Sequence, residues 1–220
     1  MSELLLNIIQ DNVDENAFTW LKKAASADEI GQLGQAFVML PRKTGKSPLH
    51  LSEIQKMQLE EVGLTYITGW SIDRLVRVWL LSVQSFADAG KAHPVIENLF
   101  LSAEMNEAIA LYSALPFYAY PEEWIAKAEN GIRSNIGTVL EAIMYHNPFA
   151  ATYLSENSFN QLVLKAFFTE KDVTKISGLH SRVNKALQDT LSDYVAERTA
   201  AHRSVEPNIY HLLELNNQTI

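Results

Sequence analysis

The residues best equipped for chemistry lie in the second half of the chain. Within NGIRSNIGTVLEAIMYHNP (130–148), Arg133, Asn135, Glu141 and His146 stand among apolar residues. A carboxylate such as Glu141 can serve as a general acid or base, and Arg133 can hold an anion. Further on, Asn160, Gln161 and Lys165 interrupt SFNQLVLKAFF (158–168), where Lys165 offers an anion-binding or Schiff-base amine. A lysine reaching out of an apolar helix to water is the commoner meaning of that spacing.

Other chemistries lack their residues. The histidines at 50, 93, 146, 180, 202 and 211 include no pair three or four apart, and there is no HExxH or acidic calcium loop. No metal is expected. Cysteine is absent, which removes disulfides, thiolate ligands and Cys nucleophiles together. PRKTGKSP (41–48) lacks the first glycine of a Walker A loop and a preceding strand, and no GxGxxG or GxSxG occurs. No cofactor is expected. His202 and Arg203 read as a solvated helix end.

The elements that must position these groups are helices. Apolar residues recur at helical spacing almost everywhere, and strand-like alternation almost nowhere. Leu4, Leu5, Ile8 and Ile9 open the pattern, and Ile30, Leu33, Phe37 and Leu40 share a stripe that Pro41 is expected to end. RKTGKSP (42–48) reads as a loop, followed by a helix from about Ser52 to Val62. Ser71 is the expected N-cap of IDRLVRVWLLSVQSF, with Asp73 and Arg77 one turn apart outside its apolar face. DAGKAHP (88–94) reads as a break and Tyr120-Pro121-Glu122-Glu123 as a helix start. A long helix from about His180 to Ala201 and a tail, PNIYHLLEL, complete the chain.

This predicts an all-α fold of roughly ten helices in one domain over 1–220, as antiparallel hairpins in a bundle or a HEAT-like αα-superhelix. If 130–148 is one helix, Ile132, Ile136, Val139, Leu140 and Ile143 form its core face. Arg133, Gly137 and Glu141 then descend one flank at four-residue intervals. A mid-helix glycine costs about 1 kcal/mol relative to alanine. Gly137 would therefore mark a close helix approach, or room for Arg133 to fold toward Glu141. Three meanings stay open for the polar flank: a solvated edge, a buried structural network, or the lining of a ligand pocket.

The 220 residues carry a net charge of −8 and 47% hydrophobic residues. Lys and Arg form no run longer than two, so nucleic acid is not an expected partner. No apolar run reaches bilayer length and no basic residue precedes the first one, so a cytoplasmic protein is expected.

The ordered blocks GIRSN (131–135), LEAI (140–143), HNPF (146–149), FNQLVLKAFF (159–168), GLHSRVN (178–184) and DYVAERTAAHR (193–203) resemble the EboA-domain family. GWSIDRLVRVWLL and LYSALPFYAYPEEW extend the likeness upstream, so it covers about 66–207 well and the first sixty residues loosely. The resemblance implies a bacterial protein of a gene cluster for maturation or export of secondary metabolites. Such a protein is encoded beside a membrane prenyltransferase-like protein, a sugar-isomerase-like barrel and a metal-hydrolase-like protein. The family motif falls on Arg133, Asn135, Glu141, Asn147, Asn160, Gln161, Lys165, Arg182 and Asn184, and then on Tyr194, Glu197 and Arg198. His180 stands where the family has an acid, and Ala196-Glu197-Arg198-Thr199 where it has His-Glu-Arg-Trp.

The leading expectation is a non-catalytic binding or scaffold protein for a small aromatic or isoprenoid metabolite. Two other readings stay open. One is an enzyme acting on that metabolite, with Glu141 as acid or base and Arg133 or Lys165 holding an anion. The other is a structural adaptor for the membrane prenyltransferase-like partner.

Overall fold

The computed structural model describes residues 2–215, without the side chains of Ala27 and Asp28. Among these residues there are fourteen α-helices, short 3-10 turns and no β-strand. The fold is all-α. Its contacts group into two compact units, 1–121 and 122–220.

The first unit contains α1 (Ser2–Asn12), α2 (Glu15–Ala24), α3 (Leu33–Thr44), α4 (Glu53–Glu61), α5 (Ile72–Ala87), α6 (Ala89–Ser102) and α7 (Met105–Ser113). Its centre is α5, which packs against α1, α3, α6 and α7. Eleven of its sixteen residues are buried, on every side of the helix. A helix apolar nearly all round can satisfy itself only inside other helices. Around it, Leu5, Ile8 and Ile9 of α1 and Leu33, Phe37 and Leu40 of α3 turn their i, i+3, i+4 faces inward. Each such side chain contributes roughly 1.5–3 kcal/mol on burial.

Four expectations for this unit need correction. Pro41 does not end α3, which runs on to Thr44. Nor is DAGKAHP a break, because α6 starts at Ala89 with Asp88 as its cap and Pro94 inside it. A proline within a helix orphans the carbonyl four residues back. For Pro94 that is Gly90, which is exposed, so water can serve it. For Pro41 it is Phe37, which is buried, and there the Nε–H of Arg77 donates to the freed oxygen at 3.2 Å. Arg77 and Asp73 are accordingly not outside the core face of α5, being only 3% and 5% exposed. The 42–48 segment is only partly loop: after α3 the chain pairs with 70–72, through Leu49 N–H to the Trp70 carbonyl and Ile72 N–H to that of Ser47.

The second unit contains α8 (Ile125–Arg133), α9 (Gly137–Met144), α10 (Pro148–Tyr153), α11 (Glu156–Phe168), α12 (Leu179–Arg182), α13 (Lys185–Ala200) and α14 (Asn208–Glu214). Phe159, Leu162, Val163, Ala166 and Phe167 give α11 its buried face, as their spacing predicts. The expected long helix from His180 is instead two. The chain leaves α12 at Val183, and Asn184 caps a new helix by accepting the Leu187 N–H at 2.9 Å. Tyr120-Pro121-Glu122-Glu123 leads into a 3-10 turn, Pro121–Trp124, before α8 begins.

Candidate functional site

NGIRSNIGTVLEAIMYHNP is not one helix. It breaks at Ser134–Ile136, where Ser134 and Ile136 are extended and the Ser134 hydroxyl accepts the Ile136 N–H at 3.1 Å. Such a local side-chain bond competes with helix continuation. Gly137, a poor interior residue, becomes the first residue of α9. The predicted flank therefore does not exist. Arg133 is exposed and donates to Asn130 Oδ1 at 2.6 Å, away from Glu141. Ile136, expected in the core, is 46% exposed.

Glu141 has a partner that the sequence did not suggest. Lys171 Nζ lies 2.6 Å from its Oε1, with both side chains partly exposed. The same ammonium explains Gly137: a Cβ there would sit 3.0 Å from Lys171 Nζ. A lysine amine crosses the first turn of α9, and no helix backbone approaches. Because that turn is the positive end of the helix dipole, the Glu141 carboxylate is what makes the position tolerable for a cation. Asn135 and Lys165 do meet, at 3.0 Å, but on the exposed side.

The remaining motif residues hold helices together. Asn147 caps α10, accepting the Phe149 N–H at 3.0 Å while its amide donates to the Ala142 carbonyl at 2.9 Å. Asn160 and Asn184 exchange amide hydrogen bonds of 3.1 and 2.9 Å between α11 and the start of α13. Arg182 Nη1 points at the carbonyls of Ala150, Ala151 and Leu154, at 3.2, 2.9 and 2.9 Å, so two hydrogens serve three acceptors at the end of α10. Its guanidinium also lies 4.5 Å from the Phe159 ring centre. Gln161 is exposed. Of Arg133, Asn135, Glu141, Asn160 and Lys165, only Asn135 and Lys165 bond each other, while Arg133 turns to Asn130, Glu141 to Lys171 and Asn160 to Asn184.

A groove of about 650 Å³ does open beside part of this set. Phe167 and Tyr194 form its floor, and Glu170, Lys171, Asp172 and Arg198 stand at its rim, with residues 204–207 along one side. Tyr194 is buried, with Phe168 edge-on at 4.8 Å. Arg198 lies 5.7 Å from the Tyr194 ring and donates through Nε to the Ser204 carbonyl at 2.8 Å, anchoring the 204–207 side. A hydrogen bond from the Thr174 hydroxyl, with Lys175 adding, holds the Asp172 carboxyl below the usual carboxylate range.

Two helix ends shape the groove. After α11, Glu170 takes the left-handed conformation (φ 54°), and its N–H and that of Lys171 reach back to the Phe167 and Ala166 carbonyls. After α13, His202 (φ 54°) and Arg203 do the same to Thr199 and Arg198. This closing pattern normally takes glycine. Its signal in the sequence is therefore missing, which is why Glu170 and Lys171 escaped notice as site residues. Tyr194 and Arg198, from the family motif, do line the groove, whereas Glu197 is exposed.

The first unit holds a buried cluster that sequence reading missed. Arg77 Nη1 donates to Asp73 at 3.0 Å, and Nη2 approaches Glu107 at 3.5 Å. Burial pulls the guanidinium pKa down while Asp73 and Glu107 oppose it. The signal was there: a charged i, i+4 pair on a helix apolar on every side has to be buried with it.

Among the described residues no three His, Asp or Glu side chains gather closely enough to hold a metal ion. Nor, among them, is any helix long and apolar enough to cross a membrane. No curated protein and no solved structure matches the chain. The family model described as "Metabolite traffic protein EboA" matches residues 1–214, which brings in the first sixty residues that resembled it only loosely. The chain belongs to the EboA family.

Proposed function

We propose that this chain binds a small, largely apolar metabolite in the groove between α11 and α13, without transforming it. It acts in the cytoplasm as a carrier or scaffold for maturation or export of a secondary metabolite. The observation that carries this reading is the groove itself, an aromatic floor of Phe167 and Tyr194 under a charged rim. An apolar cleft with a few fixed polar groups is the usual form of a small-molecule site. The rim charges are already engaged, Lys171 by Glu141 and Arg198 by the Ser204 carbonyl, so they suit orienting a polar end of the ligand. The family description, metabolite traffic, supports the same role.

One observation favours a catalytic alternative: Glu141 reaches the groove rim through Lys171. In that reading Glu141 is the acid or base, and Glu141→Gln abolishes turnover of the metabolite. In the binding reading the same change alters affinity alone.

The test is extraction of the full chain, purified from a producing cell, followed by mass spectrometry. A co-purifying aromatic or isoprenoid compound is expected, and its loss in Tyr194→Ala. In parallel, 2-naphthoate and farnesol serve as probes, with at least one binding saturably to wild type and about tenfold more weakly to Tyr194→Ala. No co-purifying compound, together with no Tyr194-dependent probe binding, overturns the proposal.

A further inference from the structure

In the first unit, α4 carries apolar residues on two faces. Gln55 and Leu59 are buried, but Ile54 and Met57 point outward, 69% and 68% exposed. Gln58 and Glu61 continue the outer line at helical spacing, and Val62, just beyond, is also exposed.

This face is held rigidly. Ser52 and Gln55 close a capping box at the N-terminus, and the Gln55 amide donates to Asp11 of α1 at 2.8 Å. At the other end Gly63 (φ 72°) turns left-handed, and the N–H groups of Gly63 and Leu64 return to the Glu60 and Leu59 carbonyls. A nine-residue helix fixed at both ends presents its outer side chains in register.

Along that side runs a shallow groove of about 450 Å³, lined by Ile54, Met57, Gln58, Glu60 and Glu61. Its lining has two carboxylates and no cation. Lys56 is engaged by Glu53 at 2.6 Å, and among the described residues neither Glu60 nor Glu61 has a partner.

We propose that the outer face of α4 docks a basic amphipathic helix of a partner protein. Apolar residues of that helix cover Ile54 and Met57, and its Lys or Arg side chains meet Glu60 and Glu61. Charge selects this occupant. A second copy docking by the same patch would set Glu60 and Glu61 against their own equivalents. An anionic membrane surface would repel them too. A basic helix gains at both places, and methionine adapts readily to a partner's side chains. The surface is independent of the ligand groove, so either proposal can fail alone.

The experiment uses the full chain and a fluorescent synthetic helix with leucine at i, i+3, i+4 and i+7 and lysine elsewhere. A second peptide with glutamate in place of lysine is the control. Binding is read by anisotropy, with circular dichroism confirming the fold of each variant. The Leu/Lys peptide is expected to bind wild type and to lose about tenfold or more in Ile54→Ser/Met57→Ser, whose net charge is unchanged. Glu60→Gln/Glu61→Gln is expected to weaken binding severalfold and flatten its salt dependence. The single Met57→Gln repeats the apolar test should the double variant melt early.

Equal binding by the serine variant overturns the proposal, because the peptide would then be sensing only the overall negative charge. So does equal binding of the glutamate peptide. Ile54- and Met57-dependent binding to phosphatidylglycerol vesicles, or a dimer that these substitutions dissolve, also overturns it by naming another occupant.

Discussion

Replacing Arg77 tests whether the first unit is built around the carbonyl that Pro41 leaves open. In Arg77→Met the side chain keeps much of its volume but loses every donor. Asp73, 5% exposed, then stays buried without its ion-pair partner, at a cost of about 3–5 kcal/mol. The Phe37 carbonyl loses the Nε–H at 3.2 Å and has no helical donor, because residue 41 is proline. An orphaned buried acceptor costs about 1–3 kcal/mol. Domains are stable by only about 5–15 kcal/mol, so the variant should be close to unfolding. Pro41→Ala restores an N–H four residues after Phe37. It should therefore rescue Arg77→Met by about 1–2 kcal/mol more than it changes wild type. The four proteins are compared by urea unfolding followed by circular dichroism. Arg77→Lys, which keeps the charge near Asp73 but has no Nε–H for the Phe37 carbonyl, replaces Arg77→Met if that protein does not fold. Distant, unconnected sites add within about 0.3–0.5 kcal/mol. Additivity within that margin would show that Pro41 and Arg77 do not share the Phe37 oxygen, and would refute the reasoning.

Arg182→Met should destabilise the second unit by about 3 kcal/mol, since three carbonyls at the end of α10 lose one donor group; a urea midpoint near wild type would contradict this. Glu170→Gly should raise the melting temperature by a few degrees, because a side chain in the left-handed region costs about 1–2 kcal/mol, partly offset by glycine's entropy. Burial pushes the Tyr66 phenol up to about 12, against a smaller opposing pull from Arg74. A raised folded-state pKa means its contribution is intact below about 10 and is lost as pH rises toward 12. That contribution is on the order of 2 kcal/mol. Alkaline absorbance titration should show one late-ionising tyrosine fewer in Tyr66→Phe, with Tyr112 and Tyr118, also raised by burial, still late.

Several helices could be read from apolar spacing alone, because α3 and α11 bury the expected stripe and α1 buries Leu5, Ile8 and Ile9, whereas α5 is buried on every side. The breaks were harder, because they depend on partners far away in sequence. Pro41 sits inside a helix only because Arg77 serves the carbonyl it frees. The stretch 180–201 splits because Asn184 caps the second helix while bonding Asn160 on α11. The groove was half visible. Tyr194 and Arg198 carried a family signal, but Glu170 and Lys171 sit where a helix end usually displays glycine, and nothing in their types reveals that geometry.

The polar residues on apolar helices, the best sequence argument for a ligand site, have a common structural use. Every α-helix leaves four carbonyls unpaired at its end, so a chain divided into many short helices must supply many donors. Gln84 donates to the Ala24 and Ser26 carbonyls at the end of α2, and Gln188 to those of Leu212 and Leu213 in α14. Arg182 does so for α10, and Arg77 for the opening that Pro41 makes within α3. Each such donor is buried or half-buried, where an unsatisfied carbonyl could not turn to water. An Asn, Gln or Arg in an apolar stretch of this chain therefore points first to a neighbouring helix end. Lys171 and Glu141 differ in kind, since their ion pair serves no helix carbonyl and stands at the rim of an aromatic groove. That exception, more than the density of polar residues, is the reason to look for a ligand there.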